Sequence, residues 1–593
     1  MQRDRSRVRG LLVALILSSA PVAMVANAAA PPAWVGQSNR HAQILLDIMA
    51  RYSPEGASFF GVEGHDDEIV DLKPGNSERQ QADLQAAQSR LAEVRATVSD
   101  PSVRQDVDIL IKAAQAQRRT LELNQRLLLP FPDIGQLVFQ GFQDLLDERI
   151  DKQRQQAAVI RLRRYVGAEK GYEPVTSLVR ARFEERAGDP KLIGPWVVEA
   201  QQYLDNLPRF MDGIEQLFKD SGLKGWQRDL KTLRKQFAEF DTWARATVLP
   251  RARKTNQLPQ ELYADNLKNF GVEMSPQEVM ERALADYVQT RDELVLTTAA
   301  LAKQRNWPES DYRDVVRRLK KERIPKDKLL DLYKGRLTEI EAIVRDKRIV
   351  TLPKRDAVIR LAGEAESAAS PAPHVDPPRL IGNTGEAAEF VLPTSNPNAR
   401  PGVEMDDFSY DAIAWTLTAH EARPGHELQF ARMLERGVST ARVVFAMNSA
   451  NVEGWALYAE AVMKEYLPVE GRIGSLQMRM MREARAFLDP MLNLGLLEPE
   501  AALRFLMDEV VLSEPMAKQE VDRYTFRAPG QATSYYYGYT RLNALRTRME
   551  LAQPGRFDAL KFHDFIVDQG VLPFDLLEQA VIAEFAPAVS QGQ

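Results

Sequence analysis

Apolar positions recur at helical spacing along most of the chain. Residues 76–98 carry Leu84, Leu91 and Val94 among charged side chains, which predicts an amphipathic helix. Ser275-Pro276-Gln277-Glu278 combines an N-cap, a proline at the first helical position and a capping-box glutamate. It predicts a helix running through Met280, Leu284, Tyr287 and Leu294. Pro325 opens another, with Leu329, Leu330, Leu332 and Leu337. The rhythm breaks at residues 370–378, where four prolines demand an extended or looped chain. Glu389-Phe390-Val391-Leu392 then reads as a short strand, with Phe390 to Leu392 a candidate sheet edge that could align an extended peptide. Residues 393–401 are again irregular, and residues 409–420 read as a mostly buried helix. The pattern gives a mostly α fold with a small β element, without internal repeats. A boundary near residue 250 separates a helical region, 29–250, from a region carrying the polar constellations, 251–593.

The first residues follow other rules. Arg3, Arg5, Arg7 and Arg9 precede an apolar run from Leu11 to Val25, and Ala26-Asn27-Ala28 fits a small-residue cleavage site. Residues 1–28 therefore read as a secretory signal peptide, and the mature protein as exported without a membrane span, periplasmic in a Gram-negative host and otherwise secreted. The 593 residues exceed one simple core. A net charge of −5, moving to about −8 once those residues are removed, gives no basic footprint for nucleic acid. There is no cysteine, so there are no disulfides, no thiolate ligands and no lipid attachment. Any metal site must use carboxylates and the six histidines.

Two of those histidines lie in His420-Glu421-Ala422-Arg423-Pro424-Gly425-His426-Glu427. On an ideal helix, residues six apart point roughly 120° from each other and cannot share a metal. Pro424-Gly425 makes an ideal helix improbable. If it widens the chain locally, the segment becomes H-E-x-x-H with two residues inserted, and His426 swings towards His420. A hydrolytic zinc site needs three protein ligands and one open position. Glu453, on a helix that also carries Glu460 two turns later, is the candidate third ligand. Glu421 would be the general base that activates water. The bland alternatives are helix-terminal histidines and solvent-facing carboxylates.

Together with Gln429, these residues and Glu453-Gly454-Trp455-Ala456-Leu457-Tyr458-Ala459-Glu460 resemble the bacterial domain-of-unknown-function family 885. So do Pro529-Gly530-Gln531-Ala532-Thr533-Ser534-Tyr535 with Gly538, Phe562-His563-Asp564 with Gly570-Val571-Leu572-Pro573, and residues 54–67. That family is similar to helical zinc metallopeptidases of the gluzincin type. The resemblance implies a large helical metallopeptidase-like fold with a deep cleft, His420, His426 and Glu453 as metal ligands, and Glu421 as base. Tyr535 best matches the family position for a donor to the oxyanion, with an aromatic packing cluster as the alternative. Arg423 departs from the pattern where an aromatic residue is common, and Glu427 where a second histidine is common.

The expectation is an exported Zn2+-dependent hydrolase acting on peptides or small amides. The alternatives are a hydrolase of esters or non-peptide amides, and a helical binding protein on a metallopeptidase scaffold. His563, Arg541 and Arg546 are further polar candidates.

Overall fold

The computed structural model describes residues 32–586 except 364–365, 368–369 and 394–402. The signal-peptide segment, 1–28, and most of the irregular stretch 393–401 lie outside the described residues.

Long helices near the start of the described chain include α1 (Ala33–Tyr52), α2 (Asn76–Thr97) and α3 (Pro101–Leu127). As the periodicity predicts, α2 buries Leu84 and Leu91. Asp100 caps α3 by accepting from the N–H groups of Ser102 and Val103. Further along lie, among others, α4 (Ile134–Leu146), α5 (Val197–Ser221) and α6 (Gln227–Thr247). Their apolar faces meet in a core drawn from residues 69–248, with Phe142, Phe218 and Phe237 inside it.

A larger core takes nearly all its residues from positions 263–585. It is framed by α7 (Pro276–Arg305) and α8 (Lys326–Asp346). Ser275 caps α7 at the Glu278 N–H, 3.2 Å away. Tyr287 and Leu294 are buried, but Leu284 faces outward at 37% exposure. The early helices also reach this half. Asp106 on α3 is fully buried and accepts from Ser38, Ser439 and Arg442.

A small sheet precedes the His-Glu segment: β1 (Val358–Leu361), β2 (His374–Asp376) and β3 (Glu389–Leu392), in the order β1-β3-β2. β3 runs parallel to β1 and antiparallel to β2. It is therefore the central strand, which corrects its reading as an edge. Phe390, Val391 and Leu392 are all buried. An unbroken apolar run is the mark of a strand covered on both faces, and buried backbone groups need partners on both sides. The proline-rich segment supplies one of those partners as β2.

The remaining frame consists of α9 (Asp411–Leu417), α10 (His426–Arg436), α11 (Ser449–Lys464), α12 (Val469–Asn493), α13 (Thr533–Ala552) and α14 (Ala559–Asp568). α12 is buried along most of its length and serves as the central post. α11 and α13 cross at Gly454 and Gly538. A Cβ on Gly454 would fall 2.5 Å from the Gly538 Cα, and one on Gly538 would fall 1.9 Å from the Ala450 carbonyl oxygen. Only glycine allows this approach, in which backbone meets backbone. Gly538→Ala is expected to cost about 1–3 kcal/mol by overpacking. The measurement is a urea melt, with a lowered midpoint at constant slope.

Candidate metal centre

The buried run from Ala412 to Leu417 carries the chain into the site on α9. Over Thr418–Ala422 the helix widens into a π turn. Such a turn absorbs one extra residue and rotates the next stretch of chain about the helix axis. Arg423 then turns extended, at φ −124° and ψ 136°. Pro424 comes next across a cis bond and cannot donate to the helix ladder. Gly425 passes so close to the widened turn that a Cβ would fall 1.8 Å from the His420 carbonyl oxygen. A new helix, α10, begins at His426. The widening and the break bring the two imidazoles to 4.8 Å between ring centres, at 83°. Trp455 on α11 donates its indole N–H to the Pro424 carbonyl at 3.0 Å, tying the break to the next helix.

From α11, Glu453 places Oε2 at 3.3 Å from His426 Nε2 and 3.6 Å from His420 Nε2. Three ligands bound tetrahedrally at about 2.0–2.2 Å sit about 3.3–3.6 Å from one another. Glu453 Oε2 is buried and has no hydrogen-bond partner among the described residues. The donor set, two imidazoles and a carboxylate, suits zinc. Burial favours the neutral Glu453 carboxyl, yet the flanking imidazoles hold it well below the usual carboxylate range. Burial also pulls His420 down, but Glu453 and Glu460 outweigh it and lift the ring to about 9. Glu421 stands further out, with Oε1 at 4.0 Å from His420 Nε2. His420, Glu421 and His426 also form a group of close potential ligands. The shorter separations favour Glu453 as the third member and leave Glu421 outside the closest set.

Glu460 is the site residue to which sequence reasoning gave no role. Its Oε1 accepts from His420 Nδ1 at 2.7 Å, so Nε2 is the nitrogen that would bind an ion, giving up its proton to do so. Thr416 donates to its other oxygen, and Arg482 lies 3.2 Å from Oε1. The signal was present: Glu453 and Glu460 share one face of α11. They grip opposite edges of one imidazole.

Tyr535 on α13 stacks near the His420 ring, with 6.3 Å between centres and 11° between planes. Burial raises its pKa, so the hydroxyl is a neutral donor at pH 7. The Arg485 guanidinium lies 4.6 Å over its ring, and Arg523 Nη1 approaches its hydroxyl at 3.4 Å. The other polar candidates lie elsewhere. His563 bonds Tyr458 and the Ile349 carbonyl, both at 2.7 Å, and burial pushes it down to about 4. Arg541 pairs with Glu578, and Arg546 with Glu550. A cavity of about 490 Å³ lies between the N-terminal helices and the turn that holds Thr525 and Phe526. None of the five predicted site residues lines it, so it is not the cleft expected around them.

Residues 54–581 match the family described as "Bacterial protein of unknown function (DUF885)". The chain belongs to this family. Two solved structures share the fold, both described as a "putative lipoprotein". One, from Colwellia psychrerythraea, is 17% identical with a TM-score of 0.76, and covers 93% of this chain and 100% of its own. The other, of unknown function and from Shewanella oneidensis, is 19% identical with a TM-score of 0.72 and the same coverage. No curated protein matches. No described helix of this DUF885 protein is long and apolar enough to cross a membrane.

Arg423 and Glu427, on either side of the break, meet. Arg423 Nε donates to Glu427 at 2.6 Å, and its other nitrogens reach Glu341 and the Arg355 carbonyl. Both side chains are almost wholly buried. Glu427 thus stitches the break to α10. Removing one partner of a buried pair costs about 3–5 kcal/mol, whereas an apolar replacement of both is often near neutral. Arg423→Met is therefore expected to destabilise strongly, and Arg423→Met with Glu427→Leu much less. A double-mutant cycle by chemical denaturation measures the difference.

Proposed function

We propose that this DUF885 protein is an exported zinc hydrolase that cleaves peptide bonds. The observation that carries the reading is the orphaned Glu453 oxygen, buried and facing two imidazole nitrogens at ligand-to-ligand spacing. His420, His426 and Glu453 would hold the ion. Zinc so held supplies Lewis acidity, polarising a carbonyl and bringing the pKa of water to about 7.

The chain's own groups then have defined tasks. Glu460 fixes the His420 tautomer through the Nδ1 proton. Glu421, next to the ligands but outside their closest set, takes a proton from the attacking water and returns it to the leaving amine. Tyr535 offers a neutral hydroxyl to the oxyanion that develops on the scissile carbonyl. The leader-like residues 1–28 support export by a cleavable signal peptide, to the periplasm in a Gram-negative host. The lipoprotein descriptions of the two structural neighbours agree with a life outside the cytoplasm. This chain itself has no cysteine to carry a lipid.

Metal analysis and peptide cleavage test the reading together. Wild type is expected to hold one zinc after loading, and His420→Ala and Glu453→Gln to lose it. Absence of stoichiometric zinc in wild type defeats the proposal. Glu421→Gln is expected to keep zinc and lose turnover. Tyr535→Phe should lower kcat by about 10²–10³-fold with zinc retained. Glu460→Gln should weaken zinc binding by about 10–100-fold, measured by chelator competition.

A further inference from the structure

Beside Tyr535 the guanidinium groups of Arg485 and Arg523 crowd together. Arg485 and Arg523 share one fully buried carboxylate, Glu520. Arg485 takes it through two bonds, 2.6 and 2.9 Å long, and is satisfied. Arg523 is left with a 3.3 Å approach to the same carboxylate and contacts of 3.4 and 3.5 Å to the Tyr535 hydroxyl and Gln531 Oε1. All three are long for charged hydrogen bonds. Arg482, on the far side of Tyr535, adds a buried guanidinium whose Nε and Nη1 have no partner among the described residues. Its one carboxylate, Glu460, already accepts from His420 and Thr416.

The position of Arg523 is also constrained. It opens the π turn Arg523–Arg527, which continues directly from the helix carrying Glu520. Gln531 fixes the other end of the same loop by donating to Ser449 Oγ at 2.9 Å, at the start of α11. The guanidinium is thus held near the Tyr535 hydroxyl by the turn that follows the Glu520 helix and by a loop tied to α11, which also carries Glu453. Its side chain is 21% exposed, unlike that of Arg485, which is buried.

We propose that Arg523 is the specificity-determining residue that binds the C-terminal carboxylate of a peptide substrate, making the enzyme a carboxypeptidase-type exopeptidase. The proposal rests on the hydrolase reading and deepens it. The distances also set the product. An oxyanion bonded to Tyr535 and a carboxylate bonded to Arg523 Nη1 are separated by no more than about 9 Å. One extended residue spans at most about 3.6 Å, so the cut falls one or two residues from the C-terminus.

The test uses the zinc-loaded full chain and pairs of peptides that share a sequence but end in a carboxylate or a carboxamide. Wild type is expected to prefer the carboxylate in kcat/KM by about 10–100-fold, the worth of one charged hydrogen bond. Mass spectrometry is expected to show release of one or two C-terminal residues. Arg523→Gln should collapse that ratio towards one, mainly through KM, and Arg523→Lys should restore part of it. Binding of the same pairs to Glu421→Gln protein, measured by calorimetry, separates recognition from turnover. If wild type cleaves both peptides equally, or cuts internally, the carboxylate proposal falls while the hydrolase reading stands. If nothing is cleaved but carboxylate-selective binding is lost in Arg523→Gln, the recognition stands and the hydrolase reading falls. If neither cleavage nor selective binding occurs, both fall.

Discussion

Two helices that touch backbone to backbone set the dimensions of this site. The glycine contact between α11 and α13 leaves no room for a side chain on either partner. Glu453 immediately precedes one glycine, and Tyr535 stands one turn before the other. The crossing therefore decides how far the carboxylate lies from the phenol, and it lets His420 fit between them. A wider crossing would move Tyr535 away from the imidazole it stacks against, and a position error of about 1 Å matters greatly in a catalytic arrangement. The long, buried α12 completes the frame by presenting Arg482 and Arg485 to the same space.

Burial of so many charges shapes the rest. Glu427, Glu460 and Glu520 sit in the helical core, where an unpaired carboxylate would shed its charge or unfold its surroundings. Each faces an arginine from a different turn or element: Arg423, Arg482 and Arg485. These pairs do more for geometry than for net stability, because desolvation consumes most of their attraction. They lock the segments that carry the histidines, and the same logic makes the loosely held Arg523 stand out.

Much of this was legible in the sequence, for identifiable reasons. Helices with periodic apolar faces and explicit caps, such as those after Ser275 and Pro325, are local properties of the chain. The meeting of His420 with His426 was accessible because proline and glycine constrain only their own neighbourhood. The strand at Phe390 was recognisable, but its central place was not, since pairing depends on the distant segments β1 and β2. Glu460 and Arg523 escaped a role for the same reason. Their partners, His420 and Tyr535, lie 40 and 12 residues away. A carboxylate on a helix face looks alike in sequence whether it meets water or an imidazole.

The Arg423–Glu427 pair carries a consequence for how this sequence can change over generations. Replacing Arg423 alone strands the buried Glu427 carboxylate, so that intermediate is less stable than both ends of the path. The lineage must cross by a nearly simultaneous double change or by first relaxing the surrounding core. Position 423 and position 427 should behave as one inherited unit, a trait that switches rather than drifts.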